Sequence, residues 1–111
     1  MTFGFSSNAF AVCTHPPIPL AYGSAMNSEW RITDGSSCGS TSNHPEWIGD
    51  IVIAAKPSHG VAGRAGKDGV AYQPAPGFKG TDRFVYVVTS NSNWRGGAGQ
   101  RATVNVTVVS E

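Results

Sequence analysis

Three histidines, two cysteines and seven acidic residues are the side chains in this sequence best suited to chemistry, and their spacing limits what that chemistry is. Cys13 and Cys38 are too few for a structural zinc site unless His15 and His44 join them. The resulting Cys-x-His and Cys-x5-His spacings match no common zinc pattern. A disulfide is the simpler reading: it closes a loop of about 25 residues and contributes roughly 3 kcal/mol by restricting the unfolded chain. The alternative is a pair of free thiols. His15 and His44 each precede a proline, and His59 lies in a Pro-Ser-His-Gly turn, with no carboxylate at a recognisable distance. Glu29, Asp34, Glu46, Asp50, Asp68, Asp82 and Glu111 are scattered and form no Asp-x-Asp string, whereas calcium needs clustered oxygens. No Gly-x-Ser-x-Gly elbow occurs, and Gly96-Gly97-Ala98-Gly99 lacks the lysine of a phosphate loop. The expectation is a protein that is not an enzyme and carries no cofactor or metal.

Recognition has better candidates. The stretch Ser90–Gln100 joins the two best strand patterns, is longer than a hairpin requires, and has Trp94 and Arg95 at its centre. Long loops on rigid scaffolds carry recognition, and Trp and Arg dominate binding hot spots. The competing reading is that Trp94 folds back over the end of the domain. Trp47, after His44-Pro45-Glu46, is a second loop aromatic that shares the surface if the two loops meet.

These residues need strands to position them. With 111 residues the chain has the size of one domain, 1–111, and with 14 Gly, 7 Pro and only 14% charged residues it favours short strands and tight turns. A net charge near +1, with no basic cluster, gives no footprint for nucleic acid. The apolar runs Ile51–Ala55 and Phe84–Val88 are far too short to insert in a membrane. The amino terminus lacks the cationic start and apolar stretch of a signal peptide. The expectation is therefore a protein made and used in the cytoplasm or released by lysis, or else a mature fragment, and its place is a virion or the extracellular space.

From Ile48 onward strands alternate with turns. Ile48, Ile51, Val52 and Ile53 form a β-branched run, and Val61-Ala62 begins a short return strand before the three-glycine loop Gly63–Gly69, a hairpin pattern. Arg83–Thr89 is predicted to be central, with Phe84, Tyr86 and Val88 on one face and Val85, Val87 and Thr89 on the other. Ala102–Val109 points Val104, Val106 and Val108 inward, and Thr103, Asn105 and Thr107 outward. The first half is less regular. It suggests strands near Asn8–Cys13 and Glu29–Thr33 and at most one helical turn within Ala21–Asn27.

The segments Pro57-Ser58-His59-Gly60-Val61, Gly69–Val88 (including Pro76-Gly77-Phe78-Lys79-Gly80-Thr81-Asp82) and Ala102–Val108 together resemble bacterial immunoglobulin-like and cadherin-like repeat domains over about residues 57–109. The resemblance implies an all-β, immunoglobulin-like β-sandwich of about seven strands, with long loops and an irregular amino-terminal half. It also implies that Phe78, Phe84 and Tyr86 plug the core where Asp82 caps nearby amides. Valines at 85 and 87 depart from the outward threonines usual in such domains. They are either covered by the first half or form part of a docking surface.

The function expected is a non-enzymatic structural or interaction module that binds a protein partner in a larger assembly, with a phage virion decoration or accessory protein foremost. The alternative is a secreted or cell-surface adhesin-type domain. Trp94, Arg95, Val85, Val87 and Trp47 are the partner-binding candidates.

Overall fold

A computed structural model of the chain describes residues 13–14, 21–33, 35, 37–41 and 44–111. The expected strand over residues 8–12, and His15, lie outside them. Eight strands run in order: β1 (Cys13–Thr14), β2 (Ala25–Ile32), β3 (Cys38–Thr41), β4 (Ile48–Ala55), β5 (Gly60–Ala65), β6 (Gly69–Pro74), β7 (Gly80–Ser90) and β8 (Arg101–Ser110), with a 3-10 turn at Pro45–Trp47 before β4. They form two sheets, β1-β2-β8-β7-β4 and β3-β6-β5, which pack as a β-sandwich. Leaving aside the two-residue β1, seven strands build the sandwich, and within the larger sheet β2 runs parallel to β8.

Period-2 patterning explains the two central strands. In β7, Phe84, Tyr86 and Val88 are buried while Val85, Val87 and Thr89 are half-buried on the outer face. In β8, Val104, Val106 and Val108 are buried, and Asn105 between them is exposed. Antiparallel register sets Phe84 beside Val106 and Tyr86 beside Val104. Across the sandwich, Tyr72 of β6 meets Phe84 with ring centroids 5.8 Å apart, and Trp30 of β2 meets the same ring edge-on at 5.4 Å. One phenylalanine thus links the two sheets.

Three expectations change. Residues 21–27 hold no helical turn: the chain turns at Tyr22-Gly23, where Gly23 has φ +88°, and extends into β2 from Ala25. The run after Ile48 does not hairpin with the strand that follows, because β4 pairs with β7 in one sheet whereas β5 pairs with β6 in the other. The hairpin is β5–β6, and it includes Gly63, opposite Ala71, so only Gly66-Lys67-Asp68 is left to turn. Phe78 is not in the core: it is half-buried and stacks on His59, ring centroids 4.5 Å apart.

Cys13 and Cys38 are joined as a disulfide with Cα atoms 5.2 Å apart, within the usual span. β1 and β3 are edge strands of opposite sheets, so the bridge ties the sandwich shut along one side.

Candidate functional site: the aromatic loop end

At the end where β7 runs into β8, three connections are laced together. Ser90, buried, holds the base of the long loop: its hydroxyl donates to the Gly97 carbonyl (2.7 Å) and accepts from the Gln100 amide (3.0 Å). Asn91 reaches across to the segment before β4. Its side-chain amide donates to the Glu46 and Ile48 carbonyls (2.8 and 3.2 Å), its backbone N–H donates to the Trp47 carbonyl (2.9 Å), and its Oδ1 accepts from the Asn93 N–H (2.9 Å). The last of these is an Asx turn, which aims the chain at Trp94.

Tyr22, in the connection before β2, joins both aromatics. Its ring lies against Trp94 with centroids 4.9 Å apart, and its hydroxyl donates to the Trp47 carbonyl at 3.1 Å. Partial burial raises the Tyr22 phenol above its ordinary pKa, so it remains a donor through the neutral range. On the other side, Trp47 is stacked with His44 at 4.0 Å, and His44 Nδ1 lies 3.2 Å from Glu46 Oε1. The Glu46 carboxyl is held below its usual range by its own backbone N–H and then by His44. Trp47 and Trp94 are half-buried and Arg95 is exposed.

The structure therefore brings Trp47, Trp94 and Arg95 to one end. It places Val85 and Val87 elsewhere, on the outer face of the five-stranded sheet, half-buried, with Val52 of β4 directly opposite Val87. Val52 and Val61, about half exposed (51% and 50%), are the large aliphatics most open to solvent among the described residues. Trp94 is neither free nor part of the core, since it rests on Tyr22 and keeps part of its surface open. Sequence reasoning missed Tyr22 and Asn91 as members of the site. The Tyr-Gly turn was a signal for the first, whereas nothing local marked the second.

The opposite end carries the strongest polar constellation. Asp82, 4% exposed, accepts at Oδ1 from the Ser58 and Arg83 amides (3.0 and 2.9 Å), and at Oδ2 from the His59 amide (2.9 Å) and the Tyr72 hydroxyl (2.8 Å). Burial alone would raise this carboxyl; the Tyr72 hydroxyl and the three amides outweigh it and hold it below the ordinary carboxylate value. Tyr72 in turn is pushed upward, first by burial and then by Asp82. Gly60 makes room for this arrangement: a Cβ there would sit 2.7 Å from the Tyr72 hydroxyl. With every oxygen lone pair aimed at a fixed donor, the constellation locks the turn ahead of β5 to the start of β7. The adjoining open groove of about 510 Å³, lined by His59, Val61, Gln73 and Pro76 among others, presents no carboxylate.

Both cysteines are committed to each other, and among the described residues no three His, Cys, Asp or Glu side chains gather into a metal-ligating group. The chain matches no protein-family model and no curated protein.

Proposed function

We propose that the protein is a non-enzymatic interaction module that docks on a protein partner in a larger assembly through its aromatic loop end. The observation that carries this reading is the lacing of Trp47, Trp94 and Tyr22 into one end, with Arg95 exposed beside them. Trp and Tyr give large contact area at small entropic cost, and Arg offers a planar fork for carbonyls or carboxylates. In variable immunoglobulin domains the corresponding loops, at the same end of the sandwich, are the antigen-binding ones, a parallel of fold rather than of descent. The resemblance of residues 57–109 to bacterial immunoglobulin-like and cadherin-like domains supports the same class of use. A phage virion, its capsid or tail, is the assembly favoured, with the outer-face valines Val85 and Val87 as secondary contacts.

One observation favours the second reading, a secreted or cell-surface adhesin-type domain: disulfides such as Cys13–Cys38 persist in oxidising surroundings. One experiment addresses both. Labelled protein is sedimented with purified phage particles and, separately, with cell envelopes from the source organism. The double variant Trp94→Ala, Arg95→Ala is expected to stay folded and to lose about 2 kcal/mol or more of binding to one of the two. A folded double variant that occupies the particles or envelopes at wild-type level removes the loop end from the interface.

A further inference from the structure

We propose that Cys13 is the site at which thiol–disulfide chemistry reaches this chain, with Cys38 as the enclosed partner that resolves it. The inference stands apart from the loop end and rests on the unequal setting of the two sulfurs.

Cys38 is 0% exposed and belongs to the central core cluster with Tyr72 and Trp30. Its backbone is fixed in the β3–β6 ladder directly opposite Tyr72. Cys13 is half-buried and packed against the margin of the same core, and among the described residues its strand pairs Cys13 with Ile32 and Thr14 with Arg31. Both sulfurs sit on edge strands, but one end of the bridge is enclosed in the core and the other lies at its margin. Exchange requires a thiolate to approach one sulfur in line with the S–S bond, so access decides which sulfur is attacked. Only Cys13 offers that approach without opening the core.

The steps balance. In forming the bridge, the Cys13 thiolate attacks a disulfide R–S–S–R, either a small disulfide or the oxidised pair of a thiol oxidoreductase. This gives Cys13–S–S–R and releases RS⁻. Cys38 then gives up its proton, attacks Cys13 Sγ and expels the second RS⁻. Two protein thiols are oxidised by two electrons, and one R–S–S–R becomes two thiols. Opening the bridge is the reverse: RS⁻ adds to Cys13 Sγ and Cys38 leaves as a thiolate among apolar rings, where an unhydrated charge is costly. A proton must follow it, so opening is slow and shows itself only with thiol in excess.

The oxidised wild-type chain is incubated with excess reduced glutathione, quenched in acid at early times and mapped by peptide mass. The expected adduct is glutathione on Cys13. An adduct on Cys38, or a bridge that stays intact throughout, overturns the proposal. As a second measurement, the fully reduced chain, shown to be folded by a cooperative urea transition, receives a limiting amount of N-ethylmaleimide. Cys13 is expected to be labelled in preference to Cys38 by about tenfold or more, falling to near parity in denaturant. Parity in the folded reduced chain also overturns it.

Discussion

Replacing Asp82 tests the account of the sandwich most severely. In Asp82→Asn the side chain keeps its volume and one carbonyl oxygen, so the Ser58 and Arg83 amides retain an acceptor, but an NH₂ group now faces the His59 amide and the Tyr72 hydroxyl. The tyrosine can rotate its proton away and accept, while the His59 amide cannot. With hydrogen bonds to a charged group contributing roughly 1.5–3 kcal/mol each, loss of the His59 bond makes Asp82→Asn cost about 2–3 kcal/mol, and Asp82→Ala, which orphans all four donors, costs about 5 kcal/mol or more. Either is a large share of the roughly 5–15 kcal/mol that holds a domain together. The same carboxylate sets an acid limit. Its folded pKa is depressed, so its contribution is present above the unfolded value of about 4 and is lost as pH falls through the folded value. Urea unfolding followed by tryptophan emission, repeated from neutral to acid pH, should show wild type converging on Asp82→Asn as pH falls. An Asp82→Asn protein within about 0.5 kcal/mol of wild type at neutral pH would refute the idea that this cluster locks the two sheets.

Two further perturbations check the core. Val104→Asp places an unpaired carboxylate at a fully buried position and should unfold the domain, whereas Thr103→Asp, one residue away on the outer face, should change stability little, with denaturant midpoints compared directly. Tyr86, pushed up to about 12 by burial, resists ionising in the fold, so stability should hold up to the ordinary tyrosine value of about 10 and decline as pH climbs from there through 12. A Tyr86→Phe chain should lack that part of the alkaline decline in urea titrations above pH 10, and identical decline in both chains would remove Tyr86 as its source.

How far the sequence revealed this depends on whether each signal is local. Val104, Val106 and Val108 declare their face through strict alternation, and Phe84, Tyr86 and Val88 do likewise. β2 uses the same rule less audibly. Its inward row contains Ser28 beside Trp30 and Ile32, and the polar member breaks the apolar pattern, so only the strand's last residues were evident. The role of Asp82 as an amide cap was implied by the resemblance, although Gly80-Thr81-Asp82 proves to be the start of strand β7. Its bond to Tyr72 was not, because it depends on how one sheet lies over the other. The same holds for β4, whose true partner β7 is thirty residues away in sequence at its closest pairing, Ala55 with Val85; nothing in Ile48–Ala55 distinguishes that pairing from a hairpin with β5. At the loop end, the Trp and Arg were conspicuous by type, but their convergence with Trp47 depends on Asn91, an ordinary polar residue in a polar loop.

The place of β8 bears on how the chain is made. Residues 101–110 lie in the interior of the larger sheet, between β2 and β7, and fill both of those strands' inner edges. A ribosome delivers β2 long before β8, so β2 leaves the exit tunnel with no partner along that edge, and β7 emerges with β4 alone to pair with. The larger sheet can close only when these residues arrive, so the half-synthesised chain presents open, β-branched strand edges to its surroundings. Whatever shields those edges during translation, whether speed or a chaperone, guards the protein at its most exposed moment.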